Sequence, residues 1–233
     1  MSGIWALVPI KELAEAKTRL APVLDAAGRR ELVLAMARDV LTALAETTAI
    51  SHVVVVSDIE GIDRLLSVDK VSVFDPRPAR GLNDQLERAC ARARVAGASQ
   101  VLIAHADLPA ITPQAVRTFL DPGLDTRSLR IAANQEGTGT NLLLAFLPLP
   151  TPLQFGKDSR LNFEAVAARR EIQVEIRRDP LLAADIDEPA DLAELARSVS
   201  GGGFANKATA RWLAEAGPLE APRQPITHTG SIR

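Results

Sequence analysis

The sequence has little of what several protein classes need. One cysteine, Cys90, in 233 residues excludes an internal disulfide and fits a reducing compartment. It falls in a helical pattern and reads as a packing residue. The three histidines, His52, His105 and His228, do not assemble a metal-ligand spacing. His105, inside an apolar run, reads as a packed, hydrogen-bonded residue and not as a base. No apolar run approaches membrane-spanning length, and no charged-then-apolar leader opens the chain, so no membrane partner is expected and the cytoplasm is the expected compartment. A net charge of -2 excludes a broad nucleic-acid footprint but allows local clusters of Lys and Arg around phosphates. The dinucleotide-binding Gly-x-Gly-x-x-Gly is missing after the first strand, as are the P-loop and the Gly-x-Ser-x-Gly elbow.

What is present alternates between strand and helix patterns. Ile4 to Val8, Val53 to Val56, Val71 to Phe74 and Val101 to Ala104 read as strands, the second with a β-branched run that disfavours a helix. Residues 10–20 read as a polar, cation-rich loop. Leu32, Val33, Met36, Val40, Leu41 and Leu44 recur at helical spacing. Arg80-Gly81-Leu82-Asn83 leads into a helix carrying Leu86, Ala89, Cys90 and Ala93. Thr112-Pro113 is a helix start with proline at the first position. Strands over Ile131–Ala133 and Leu142–Phe146 flank a glycine-threonine turn. A helix over Leu161–Arg169, a strand around Val174–Ile176 and a helix opening at Pro189 follow. Such alternation predicts a single α/β domain over residues 1–198, with a mainly parallel sheet and helices on both faces. Residues 199–233 read as a flexible C-terminal tail opened by Gly201-Gly202-Gly203, with room for a short helix over Lys207–Ala216.

Three constellations could carry chemistry. Ligands of open α/β sheets sit beyond the carboxyl ends of the strands. Lys11, Lys17 and Arg19 follow the first strand, and are either a solvated basic face or a cradle for a triphosphate whose charge must be neutralised as pyrophosphate leaves. Asp107, in Ala106-Asp107-Leu108-Pro109, either terminates its strand or holds a divalent cation. Asp185 and Asp187 are two positions apart and so share a face of an extended segment; one could reach a metal while the other caps the helix at Pro189. The third is Gly137-Thr138-Gly139-Thr140-Asn141 with Phe155-Gly156-Lys157-Asp158-Ser159. These are two ordinary turns or, together, an anion-binding nest with hydroxyl donors for an acceptor bearing phosphate and carboxylate.

In this order, with Val8-Pro9-Ile10-Lys11, Lys17-Thr18-Arg19-Leu20-Ala21-Pro22, Val56-Ser57-Asp58, Gly81-Leu82-Asn83 and Asp185-Ile186-Asp187-Glu188-Pro189, the motifs resemble the CofC/FbiD family, the guanylyltransferases of coenzyme F420 biosynthesis, over residues 4–198. The resemblance implies a nucleotidyltransferase fold of GT-A type. It also implies transfer of GMP from GTP, with magnesium, to the phosphate of a three-carbon acid: 2-phospho-L-lactate, phosphoenolpyruvate or 3-phospho-D-glycerate. It assigns Lys11, Lys17, Arg19 and Asp107 to catalysis, and Pro9, Ser57 and Asn83 to the nucleotide. Thr140, Gly156 and Ser159 fall to the phosphoacid, and Asp107, Asp185 and Asp187 to metal. It admits a homodimer. Relatives often read Phe-Gly-x-Gly-Ser, followed shortly by His. Here Asp158 stands for the second glycine and the histidine is missing, a more polar acceptor site that leans toward 3-phospho-D-glycerate. The rival readings are a nucleotidyltransferase acting on a sugar phosphate or the molybdenum cofactor, and a non-catalytic nucleotide-binding regulator.

Overall fold

The computed structural model describes residues 3–11, 13, 16–121, 123–201 and 207–216. Its elements run β1 (Ile4–Pro9), α1 (Ala26–Ala45), β2 (Ile50–Val56), α2 (Ile62–Leu66), β3 (Val71–Phe74), α3 (Leu82–Val95), β4 (Gln100–Ala104), α4 (Pro113–Leu120), β5 (Ser128–Ala133), β6 (Thr140–Phe146), α5 (Ser159–Ala168), β7 (Gln173–Arg177), α6 (Pro180–Ala183), α7 (Pro189–Ser200) and α8 (Ala208–Ala216). Helix starts follow local chemistry. The Asp25 carboxylate accepts from Gly28 N–H at the head of α1, and the Thr112 hydroxyl accepts from Ala115 N–H ahead of Pro113.

The seven strands form one sheet in the order β3-β2-β1-β4-β6-β5-β7. β1 to β4 are mutually parallel where they pair, as are β5 and β7, whereas β6 is antiparallel to both of its neighbours. Each interior strand divides its apolar residues between two cores because successive side chains face opposite ways. Ala6 and Val8, Val53 and Val55, and Leu102 and Ala104 face α1, α2, α4 and α7. Leu7, Val54 and Val56, with Val101 and Ile103, face α3 and α5. Cys90 packs in that second core, where burial pushes its thiol up to about 12, so it is inert at neutral pH.

The antiparallel strand decides where the site forms. The parallel strands β1, β2 and β4 all end at one edge of the sheet, and β6 begins there, with Leu142 opposite Ala104. Thr140 and Asn141 therefore stand beside the segment that runs on from β4 to Asp107. β5 and β7 also end at this edge, which brings the turn at 134–139 and the chain leading to Asp185 to the same place.

The stretch after residue 198, expected as a flexible tail with room for a short helix over Lys207–Ala216, is helical over part of its length, with α8 at Ala208–Ala216. α7 runs to Ser200, and α8 packs its Leu213 into the first core. Residues 202–206 and 217–233, with Gly202, Gly203 and His228, lie outside the described residues. The buried Asp39 of α1 fastens α8, accepting from Ala208 N–H at 2.6 Å and Thr209 N–H at 2.9 Å. Among the described residues no helix is long and apolar enough to cross a membrane. Asp39→Ala would leave two backbone donors of α8 without their acceptor. It should cost about 2 kcal/mol, seen as a lower denaturant midpoint and as faster proteolysis within α8. Unchanged values for both would show that α8 is held by its apolar face alone.

Candidate active site

Lys17 is where the expected loop cations and carboxylates meet. Its Nζ donates to Asp107 Oδ2 and to Asp187 Oδ1, each at 2.6 Å. The Lys17 side chain is 11% exposed and Asp107 23%, whereas Asp187 is 46% exposed, so the first ion pair is shielded and the second opens to solvent. Burial works against the Lys17 ammonium, but the two carboxylates outweigh it and hold its pKa above the ordinary lysine value. Burial likewise penalises the Asp107 carboxylate, but the charges of Lys17 and His105 and the hydrogen bond from Lys17 together outweigh that penalty, so its pKa lies below the ordinary aspartate value.

Asp185 stands next to this group. Its Oδ1 accepts from Asn141 Nδ2 at 3.2 Å, and the same amide reaches the Leu182 carbonyl at 3.0 Å. Burial, then repulsion from Asp107, pushes the Asp185 pKa up. Asn141, at the start of β6, is therefore the residue that aims Asp185, a role that only its place in the Gly-Thr-Gly-Thr-Asn run hinted at. Neither Asp185 nor Asp187 caps α7. Glu188 is the N-cap residue, in a capping box with Asp191, whose carboxylate accepts from Asp187 N–H at 3.0 Å and Glu188 N–H at 2.8 Å, which leaves the Asp187 carboxylate for Lys17.

The three cations do not form a joint cradle. Lys17 turns inward, Lys11 is exposed, and Arg19 makes only a 3.5 Å contact with Glu188 in which both side chains are mostly exposed. Lys11 and Lys17 border a cavity of about 200 Å³ with Pro9, Leu82, His105 and Asp107. Arg19 borders a second, of about 310 Å³, with Asp185, Asp187, Glu188 and Asp191. The two cavities adjoin at the Lys17–Asp187 ion pair.

The residues expected at the nucleotide have different surroundings. Pro9 ends β1 in the smaller cavity's wall. Ser57 is buried, and its Oγ accepts from Ile59 N–H at 3.2 Å, closing the turn after β2. Asn83 clamps the acceptor loop: its amide donates to the Phe155 carbonyl at 3.0 Å and accepts from Phe155 N–H at 2.9 Å. His105 lies just past the end of β4 and packs on Phe155, with ring centroids 5.4 Å apart. Contrary to expectation its Nε2, although buried, has no hydrogen-bond partner among the described residues.

The two expected acceptor turns do converge. Asn134 Oδ1 accepts from Thr138 N–H and Gly139 N–H, closing the turn before β6. Arg160, in the first turn of α5, donates through its backbone to the Thr138 carbonyl at 3.0 Å and through its guanidinium to the Gly137 carbonyl. Gly156 has φ +133°, a conformation closed to residues with a Cβ. Ser159 is buried as the first residue of α5. The Thr140 hydroxyl is buried without a partner among the described residues. Asp158, where relatives often carry glycine, sits at φ +53°, in the left-handed region that explains the glycine.

Among the described residues no group of three or more His, Cys, Asp or Glu side chains is arranged to hold a metal ion. The donor set nonetheless suits a hard divalent cation. Asp107 Oδ1 is buried without a partner among the described residues, and Asp185 is destabilised as an anion by burial and by its carboxylate neighbour. Lys17 is the cation that stands between two of the three carboxylates.

The sequence matches the family described as "Guanylyl transferase CofC like" over residues 4–211. It is 36% identical over 193 residues to a phosphoenolpyruvate guanylyltransferase from Conexibacter woesei, covering 82% of this chain and 86% of that protein. A protein of the same name from Rubrobacter xylanophilus is 37% identical over 199 residues, covering 84% and 95%. In fold, the chain is similar to a candidate nucleotide-diphospho-sugar transferase from Desulfovibrio desulfuricans G20, with a TM-score of 0.72 at 21% identity, over 92% of this chain and 95% of that one.

The raised pKa of Asp185 has a consequence for stability. A carboxyl whose folded pKa exceeds its unfolded value contributes stability below the ordinary aspartate pKa, about 3.9. That contribution is lost as pH rises through the folded value. At neutral pH, ionised Asp185 is therefore a cost. Asp185→Asn keeps the oxygen that accepts from Asn141 and removes the charge. In metal-free buffer it should raise the melting temperature at pH 7.5, by an increment that shrinks toward pH 4. A lower melting temperature, or a pH-independent gain, would contradict the electrostatic account.

Proposed function

The chain belongs to the family of CofC-like guanylyl transferases, and from that premise we propose that it transfers GMP from GTP to the phosphate of a three-carbon phosphoacid in coenzyme F420 biosynthesis. A phosphate oxygen of the acid attacks the α-phosphorus of GTP, the bond from that phosphorus to the bridging oxygen breaks, and pyrophosphate leaves. The attacking phosphate is already an anion, so no strong base is needed. Positioning and charge neutralisation carry the reaction.

The observation that carries this reading is the convergence, on one sheet edge, of the Lys17–Asp107–Asp187 group with the turn before β6 and the start of α5. Lys11, Lys17 and Arg19 supply positive charge for the triphosphate. Asp107, with Asp185 and Asp187, would hold a magnesium ion whose charge offsets that of the nucleotide phosphates. Pro9 and Leu82 bound the nucleotide side. Asn83 keeps Phe155 and Gly156 in register with it. Thr140, Gly156 and Ser159 receive the acid, whose phosphate or carboxylate gives the Thr140 hydroxyl the partner it lacks in the protein. The relatives' names favour phosphoenolpyruvate as the acceptor, while the extra polarity of Asp158 favours 3-phospho-D-glycerate.

A matrix of GTP, ATP, CTP and UTP against phosphoenolpyruvate, 3-phospho-D-glycerate, 2-phospho-L-lactate and a sugar phosphate, followed by pyrophosphate release, tests the reading. Release with GTP and at least one acid is expected. Release only with a sugar phosphate, or with no acceptor at all, would overturn it. Within that matrix Asp158→Gly should relieve the left-handed backbone, raise stability by up to about 1 kcal/mol and change the ranking of the acids. An unchanged ranking would separate Asp158 from the acceptor.

Thr140→Val gives the sharper result. It removes a buried hydroxyl that has no partner, so stability should hold or rise. It also deletes a charge-assisted donor worth about 1.5–3 kcal/mol to the acid. The Michaelis constant for the acid should therefore rise by at least tenfold, while that for GTP stays level. Parallel loss of stability and of GTP binding would make Thr140 a structural residue.

A further inference from the structure

Lys17 holds a place that the proposed function requires for something else. We propose that its ammonium is a placeholder cation, seated between Asp107 and Asp187 until a nucleoside triphosphate draws it away, so that divalent ion and nucleotide bind strongly only together. This rests on the reading of Asp107 and Asp187 as ion-holding carboxylates.

The geometry argues for competition. Lys17 Nζ is 2.6 Å from one oxygen of each carboxylate, and a divalent ion shared by the same two groups could not stand beside an ammonium at that range without strong repulsion. One of the two must leave. The ammonium can do so without disturbing the fold, because it lies at the end of a flexible four-carbon stem. Lys17 and Asp107 both border the 200 Å³ cavity, so rotation of the stem can carry the charge into the space assigned to the triphosphate. The remaining Asp107 oxygen is buried and unpartnered, so the ammonium leaves part of the site's negative charge unanswered and a divalent ion has more to gain there.

Competition for one seat makes the two ligands cooperative. Without nucleotide, the ion must displace Lys17 and leave the ammonium with no new partner. With nucleotide bound, phosphate oxygens receive the ammonium and the carboxylates are free. By linkage the ion must raise nucleotide affinity by the same factor as the nucleotide raises that of the ion.

The probe is Mn2+, followed by the paramagnetic signal of the free ion, titrated into the full chain with and without a non-hydrolysable GTP analogue. Wild type should bind Mn2+ weakly alone and more tightly with the analogue. Lys17→Met and Lys17→Gln should bind Mn2+ alone on the order of tenfold more tightly than wild type, a size typical of such coupling, and should respond less to the analogue. Mn2+ should also raise the melting temperature of the variants more than that of wild type. If either variant is unfolded without metal, folding on addition of Mn2+ supports the proposal and failure to fold overturns it. Variants that bind Mn2+ no better than wild type, while wild type binds it with the analogue, overturn the placeholder and leave the carboxylates as ion holders. No Mn2+ binding by any form, with or without the analogue, overturns both readings together.

Discussion

One ammonium joins three distant parts of this chain. Lys17 lies 90 residues from Asp107 and 170 from Asp187, and their contact ties the loop after β1 to the end of β4 and to the segment leading into α7. Three aspartates gather at this edge, one of them, Asp185, with its pKa pushed up by burial and by repulsion from Asp107. Such a gathering is unfavourable without positive charge. The fold answers it with Lys17. In the proposed reaction a metal ion and a nucleotide answer it instead.

That edge is assembled by direction of travel. A wholly parallel sheet would place every strand end at one edge and every strand start at the other. By running against its neighbours, β6 delivers Thr140 and Asn141 to the edge where β1, β2 and β4 finish. Asn141 then orients Asp185, and the turn before it meets α5 through Arg160. Asn83 closes the ring by gripping the Phe155 backbone from the head of α3. The cation-and-carboxylate half of the site and the half with unpartnered hydroxyl and helix start are thus parts of one hydrogen-bonded frame. Substitutions in either half should be judged by which frame contacts they break as well as by what they touch.

Stability and chemistry pull against each other at several of these positions. Ionised Asp185, the unpartnered Thr140 hydroxyl and left-handed Asp158 and Lys17 all cost the folded state something. The two packed cores, and the fastening of α8 by Asp39, offset those costs at a distance from the site. Local features that contradict good packing practice therefore collect at one edge of the sheet, as expected where function competes with stability.

The sequence alone determined what depends on neighbouring residues. The β-branched run of β2, the helical spacing in α1, the Thr112-Pro113 start of α4 and the strand-then-carboxylate form around Asp107 are local, and each was legible. So was the motif order that places the chain in its family. α2 and α6 were not, because five and four residues are too few to display a helical period. The antiparallel course of β6 was equally hidden, since a strand's apolar pattern is the same read in either direction. Only the tertiary structure decided that Lys17 turns inward while Lys11 and Arg19 face solvent, that Glu188, boxed with Asp191, and not Asp187 caps α7, and that Asn83 holds a loop 72 residues away. Those outcomes depend on which charges and backbone groups meet across the folded sheet, and such meetings are settled by long-range packing that no window of the sequence contains.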